Sequence, residues 1–478
     1  MLQFGYHRFL TLMVALVVCC ANSSAAESGV NLKTPNIVLI MADDLGWKDL
    51  HCYGNKKLDT PHIDRLAEQG MLFTDAYSAA PVCTPTRAAL MTGESPARLN
   101  ITNHAAGHAP NFQKPGTKLI TPLWLRHLPL ERVTLAEQLK SAGYATGFVG
   151  KWHLSHRSRS DLGADGKLPT EAELRPEHQG FDVNVGGCSY GGPPSYFSPY
   201  RIPNLEGKAD GEYLPDRSAD ESIEFIKSAQ ADGNRPFFLC WWNYSVHYPF
   251  QAPADLIAKY EKRKGPGIEN PTYAAMIEGM DLAIGRLLSA LKKMGLEEDT
   301  LVIFTSDNGG FAGVSDCRPL RESKGYLYEG GIRVPLIVSW PGQVPKGKLC
   351  KTPVISMDFY PTFLELAALK PSGKPIDGES LLPLFRQSGK LSRQTIFFHF
   401  PNYAWHMGNR LAGAVREGKW KMIRNYDDGS LELYDLQDDI SEKRNLAEQN
   451  PVIAKNLNQK LSRWLVKTNA PMPPNISR

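Results

Sequence analysis

The chain has 478 residues, 42% hydrophobic and 22% charged, which excludes collagen-like, low-complexity and polytopic membrane classes. The length suggests two or three domains. A net charge of +4, from 54 basic and 50 acidic residues, is too small to imply nucleic-acid binding.

Residues 1–26 read as a secretory signal peptide. His7 and Arg8 precede an apolar run, Phe9 to Cys20, and Ser24-Ala25-Ala26 supplies small residues suited to cleavage. The run is too short to cross a bilayer comfortably, and no later run approaches that length. The mature chain is therefore expected to be exported (periplasmic or secreted) and not membrane-spanning. It then keeps Cys52, Cys83, Cys188, Cys240, Cys317 and Cys350, a set that permits disulfides without giving their pairing.

Pro35 to Met41 is a short apolar, β-branched run that predicts a buried strand ending at Asp43-Asp44. Thr60-Pro61 opens a helix, with Ile63, Leu66 and Ala67 on one face. Thr134 to Ala142 predicts a second helix, and Tyr144 to Val149 returns as a strand. Phe237 to Trp242 is another strand, Tyr273 to Met294 a helix, Leu301 to Thr305 a strand that meets Ser306-Asp307-Asn308-Gly309-Gly310, and Val334 to Trp340 a further strand. Strands alternating with helices argue for an α/β domain with a largely parallel sheet, over residues 27–370. A Pro/Gly-rich stretch, Lys370 to Pro383, then changes the pattern. Strands over Thr395–Phe400, Leu411–Arg416, Trp420–Arg424 and Leu431–Tyr434, with a helix near Pro451–Val466, make a smaller α+β domain over 371–478. Two stretches, about 100–130 and 155–215, carry weak periodicity and many Pro, Gly and His residues and read as long loops.

Hard-cation ligands recur at strand ends: Asp43 and Asp44 after one strand, Asp307 and Asn308 after another. Ligands in α/β folds gather at the carboxyl ends of strands. An all-oxygen set suits Ca²⁺ or Mg²⁺ rather than zinc or copper. Singly, each Asp reads as a cap or turn residue. Cys83-Thr84-Pro85-Thr86-Arg87 puts a cysteine at a helix N-terminus, where the dipole favours an anion, and Arg87 on the same face. From composition alone, the usual reading of Cys83 is a buried structural residue.

That segment, with Leu90-Met91-Thr92-Gly93, resembles the signature of the type I, formylglycine-dependent sulfatases. So do Ala42-Asp43-Asp44-Leu45-Gly46, Gly150-Lys151-Trp152-His153-Leu154, His247-Tyr248-Pro249-Phe250, Ser306 to Gly310, and Lys324-Gly325 with Tyr328 to Pro335. The resemblance runs from about residue 35 to 385 and is strongest to the branch containing arylsulfatase A and N-acetylgalactosamine-6-sulfatase. The one departure is Thr86, where the signature usually has Ser.

The resemblance implies an alkaline-phosphatase-like fold with a smaller C-terminal antiparallel sheet. It implies that a formylglycine-generating enzyme oxidises Cys83 to formylglycine, whose hydrate is the nucleophile. It matches one Ca²⁺ (Mg²⁺ less well) to Asp43, Asp44, Asp307, Asn308 and the modified Cys83. Arg87 then stabilises the hydrate, Lys151 and Lys324 bind sulfate oxygens, His153 holds the hydrate and acts as base, and His247 is the general acid. Lys151 and His153, two residues apart, are expected to point the same way from an extended strand end. The implied substrates are sulfate monoesters, sulfated sugars or aryl sulfates. The alternatives are a phosphate or phosphonate ester hydrolase and an inactive sulfated-glycan-binding protein. His104, His108, Tyr190, Tyr403, Trp405 and His406 read either as sugar contacts or as exposed loop residues.

Overall fold

The computed structural model describes residues 34–157, 169–233, 235–371 and 374–475. The expected signal peptide and Cys19 and Cys20 lie outside the described residues. No helix among the described residues is long and apolar enough to cross a membrane.

Nine strands form one sheet: β1 (Asn36–Ala42), β2 (Met71–Tyr77), β3 (Ala145–Gly150), β4 (Val183–Val185), β5 (Phe237–Trp242), β6 (Thr300–Ser306), β7 (Arg333–Ser339), β8 (Lys348–Cys350) and β9 (Val354–Ile355). Their order is β4-β3-β5-β1-β6-β7-β2-β8, with β9 also on β2. Only β7 runs against its neighbours. β1 is buried on both faces, which is why it reads as an unbroken apolar run. Val38 and Ile40 pack against the helices Pro61–Gln69, Leu214–Ala231 and Pro271–Lys293. Ile37, Leu39 and Met41 pack against Cys83–Thr92, Leu135–Ser141 and Phe359–Leu366. Each fully buried Leu or Ile contributes about 1.5–3 kcal/mol, so the layers hold the strand ends in place.

The second sheet is antiparallel, in the order β10 (Thr395–Phe400), β11 (Ala412–Glu417), β12 (Trp420–Asn425), β13 (Leu431–Asp435). Ile396, Phe398 and Phe400 face Tyr77, Val82 and Ala89, at the lead-in to and on the Cys83 helix. Val415, Met422 and Leu433 face the last helix, Pro451–Lys467. The described residues, from Thr34 onward, cluster as one compact unit.

β3, β5, β1 and β6 are adjacent and mutually parallel. Their carboxyl ends therefore emerge together at one sheet edge. Lys151 and His153 follow β3, His247 follows β5, Asp43 and Asp44 follow β1, and Asp307 and Asn308 follow β6. The chain also carries the helix Leu214–Ala231 and strand β2, neither of which its periodicity announces.

Candidate active site

The Cys83 helix begins at its namesake residue, with Val82 extended before it, and every residue of the helix is buried. Cys83 thus sits in the first turn, where the helix dipole favours negative charge. Its Sγ lies 3.4 Å from His153 Nδ1, and Thr84 Oγ1 lies 3.4 Å from the same nitrogen. Burial raises the Cys83 thiol, against the opposing pull of Lys151 and Lys324. Thr86 carries a hydroxyl, as a Ser in its place would. Its Oγ1 accepts from Ala80 N–H (3.1 Å) and donates to the Ala80 carbonyl (3.2 Å), so it pins the turn before the helix.

Arg87 spans the site. Its Nε (2.9 Å) and NH2 (2.7 Å) donate to Asp307 Oδ2, NH1 donates to the Lys151 carbonyl (2.6 Å), and its guanidinium lies 5.3 Å from the Trp242 ring centre. Lys151 Nζ donates to Asp43 Oδ2 (2.6 Å), and Lys324 Nζ lies 2.6 Å from Asp44 Oδ1. Lys324 is itself pinned by its N–H to the Gly310 carbonyl (3.0 Å), and Gly325 N–H to the Pro81 carbonyl (2.8 Å). Three buried carboxylates thus face three buried cations.

Burial drives Asp43 well above the ordinary carboxylate range, Lys151 pulling against it and Asp307 adding to it. Burial would raise Asp44 too, but Lys324, His247 and Lys151 hold it below that range. Asn308 Nδ2 donates to Asp44 Oδ1 (2.8 Å), and Asp44 N–H donates to Asp307 Oδ1 (3.2 Å), so the two strand ends are stitched together.

The oxygen set fits a hard cation. Among the described residues, Asp43 Oδ1 and Asn308 Oδ1 are buried without a hydrogen-bond partner. An orphaned buried acceptor costs about 1–3 kcal/mol, a cost that a cation between them would remove. Asp43, Asp44 and His247 also present ligand atoms within 4.8 Å of one another. The oxygen set is the better description, because the orphaned acceptors, on Asp43 and Asn308, are both oxygens, whereas His247 Nε2 stands 3.7 Å from Asp44 Oδ2 as an ion-pair partner.

The structure brings together all the residues expected at the site from sequence, with one change of route. Lys151 and His153 do not share a strand face. β3 ends at Gly150, and His153 takes a left-handed backbone, φ +58°. That turn, with His153 N–H on the Cys188 carbonyl (3.0 Å), carries the ring back to Cys83. Burial, then Lys151 and Arg87, hold His153 well below its ordinary value. Desolvation and the two lysines bring His247 to about 3, against the pull of Asp44.

Gly191 and Gly192 complete the site without carrying chemistry, and no motif flags them. A Cβ on Gly191 would lie 3.0 Å from the His153 ring, and one on Gly192 would lie 2.6 Å from His247 Nδ1. Tyr196 OH donates to the His247 carbonyl (2.9 Å) from the same loop. Of the expected rim residues, Trp405 reaches the site, with Lys324 Nζ 5.3 Å from its ring centre. His104 meets Trp405 edge-on, whereas His406 stacks on Tyr326. His108 stacks on Phe112, Phe112 meets Tyr403 edge-on, and Tyr190 is partly exposed. Among the described residues, Cys52, Cys83, Cys188, Cys240, Cys317 and Cys350 are all unbridged.

The Sulfatase family profile matches residues 35–369, and the profile described as N-sulphoglucosamine sulphohydrolase, C-terminal, matches 322–469. The chain belongs to the sulfatase family. It is 33% identical to a sulfatase of Formosa agariphila, over 94% of this chain and 92% of that one. It is 35% identical to arylsulfatase A of Homo sapiens (81% and 74% covered) and 34% to N-acetylgalactosamine-6-sulfatase of Canis lupus familiaris (80% and 71% covered). Among solved structures it is similar to Ps i-CgsB in complex with k-i-k-neocarrahexaose, with TM-score 0.74, 29% identity, and 91% and 93% covered. The chain is a sulfuric ester hydrolase on an alkaline-phosphatase-like fold.

Proposed function

We propose that this sulfatase is exported and hydrolyses sulfate monoesters of carbohydrates, using a formylglycine made from Cys83 and one calcium ion. The observation that carries the reading is the placement of Cys83. It sits in a helix first turn, against His153 and in the field of Lys151 and Lys324, whose Nζ atoms pair with Asp43 and Asp44. Once hydrated, formylglycine would supply a nucleophile that can later expel sulfate by returning to the carbonyl. Asp43, Asp44, Asp307 and Asn308 would hold the calcium ion, which would polarise the sulfuryl oxygens.

The remaining steps fall to the chain's own side chains. Arg87, locked between Asp307 and the Lys151 carbonyl, keeps fixed positive charge beside residue 83. Lys151 and Lys324, now paired with Asp43 and Asp44, would bind the sulfate oxygens, whose charge grows in the transition state. His153 exchanges the proton at residue 83, and His247, whose Nε2 lies 3.7 Å from Asp44 Oδ2, would deliver one to the leaving alcohol once the bound sulfate's negative charge favours its protonated form. The arithmetic of charge supports an anionic substrate. Three carboxylates balance Arg87, Lys151 and Lys324, so an added divalent cation leaves the site positive. The relatives that act on or hold sugars, N-acetylgalactosamine-6-sulfatase and the neocarrahexaose complex, support a sulfated carbohydrate.

The test compares 4-nitrophenyl sulfate with the corresponding phosphate and with phenylphosphonate. The sulfate is expected to be the preferred substrate. A clear phosphonate preference would overturn the reading, and no turnover of any ester would favour a binding protein.

A further inference from the structure

One flank of the site is built from segments far apart in the chain. Residues 102–105 are tied to the Cys83 helix by Ala105 N–H, which donates to Thr84 Oγ1 (2.9 Å). They are tied to the loop after β10 by Asn402 Nδ2, which donates to Thr102 Oγ1 (2.8 Å). Asn103 is buried, and its Nδ2 donates to the Tyr403 carbonyl (3.4 Å). That bond assigns the amide and leaves Oδ1 to accept. Oδ1 receives His104 N–H (3.0 Å) and faces His104 Nδ1 (3.1 Å). An acceptor opposite Nδ1 places the proton there, so the neutral imidazole carries a bare lone pair on Nε2. Nε2 has no partner among the described residues.

The surroundings keep this ring neutral and well placed. Burial, then Lys324, Lys151 and His247, bring His104 to about 3. The ring meets Trp405 edge-on at 5.8 Å. Trp405 in turn stacks on Phe311 (5.5 Å, 6° between planes), with Lys324 Nζ 5.3 Å from its centre. Trp405 is 36% exposed. An acceptor held uncharged among cations cannot attract an anion. It matches a neutral donor, and an aromatic wall beside it matches the C–H face of a sugar ring.

We propose that His104 Nε2 accepts a hydrogen bond from the ring hydroxyl nearest the sulfate of a sulfated pyranoside, with Trp405 as the apolar wall for that ring. The pair would make the enzyme select sulfated sugars that keep this hydroxyl. The inference rests on the sulfatase reading and deepens it by naming what recognises the alcohol.

The experiment measures kcat/KM on 4-nitrophenyl sulfate, on a panel of defined monosulfated hexosides, and on the deoxy analogue of the best hexoside lacking that hydroxyl. The wild type is expected to prefer the hydroxylated sugar over its deoxy analogue by about ten-fold or more. In His104→Ala that preference is expected to collapse to about two-fold or less, and His104→Gln, which restores an acceptor, is expected to recover part of it. Trp405→Ala is expected to raise KM more for the sugar than for 4-nitrophenyl sulfate. A wild type indifferent to the hydroxyl, or a His104→Ala variant that discriminates like the wild type, would overturn the proposal. Turnover of 4-nitrophenyl sulfate with no hexoside cleaved would also overturn it, yet leave the sulfatase reading standing. No turnover of any sulfate by a preparation with residue 83 modified would overturn the sulfatase reading itself.

Discussion

Asp307 serves two neighbours at once. One oxygen takes both Arg87 bonds, and the other takes the Asp44 N–H. Asp307→Ala would remove an expected metal ligand and strand a buried guanidinium. The expected result is loss of bound calcium by elemental analysis, with a stability loss of about 3–5 kcal/mol. Asn308→Ala leaves Arg87 paired and should lose metal without that penalty. Unchanged metal content in both variants would contradict the site. At this scale the ligands are legible because Asp43-Asp44 and Asp307-Asn308 each close an apolar strand. The approach of His153 to Cys83 is not legible, because it depends on a left-handed backbone at a non-glycine residue.

Elements set the precision of the site. The loop bearing Gly191 and Gly192 passes close to both histidines: a methyl on Gly191 would press on His153, and one on Gly192 has no room beside His247 Nδ1 and the Tyr248 carbonyl. Gly192→Ala is expected to displace His247 and lower kcat about ten-fold or more, with little change in the melting temperature. Wild-type kcat would contradict this. A second element prediction concerns the helix Pro61–Gln69, whose first N–H groups donate to Asp281: Ile63 N–H at 2.7 Å and His62 N–H at 3.1 Å. Burial raises Asp281 to about 7, against those two bonds. The folded chain therefore holds this proton more tightly than the unfolded one. The stability it gives is complete below about pH 4 and is lost as pH rises through about 7. Asp281→Asn keeps the acceptor and removes the titration. It should gain about 1–3 kcal/mol over wild type at pH 8 and much less at pH 5, read by denaturant unfolding. A gap that does not widen with pH would contradict the assignment.

The long strands were legible because burial on both faces makes β1, β5 and β6 continuous apolar runs. The helix Leu214–Ala231 was not, because it buries small and polar residues such as Ser218, Ala219 and Ser222, along with Arg217. β2 was obscured by Thr74 and Asp75, beside a register shift against β7.

Across the whole molecule, the small sheet completes the catalytic part. Lys421 on β12 is fully buried between Glu329 (2.9 Å) and Glu442 (2.8 Å), and Glu329 also takes Arg333 (2.7 Å) and Tyr77 (3.0 Å). The Tyr328–Pro335 segment, matched by resemblance alone, is therefore a joint between the sheets. Lys421→Met would leave Glu442 buried without its cation and is expected to cost about 3–5 kcal/mol in urea unfolding. A loss below about 1 kcal/mol would contradict the joint. Strands β10 to β13 were legible in sequence, but the return of Trp405 to Lys324 was not, since no local pattern encodes a contact across two sheets.

The most direct test of the account measures two quantities in the same preparations. One is the fraction of residue 83 converted to formylglycine, read as a peptide mass loss of about 18 Da. The other is the specific activity on 4-nitrophenyl sulfate, across expressions with and without a formylglycine-generating enzyme. The account predicts that activity rises in proportion to the converted fraction and vanishes in Cys83→Ala. Full activity in a sample whose Cys83 keeps its sulfur would contradict it.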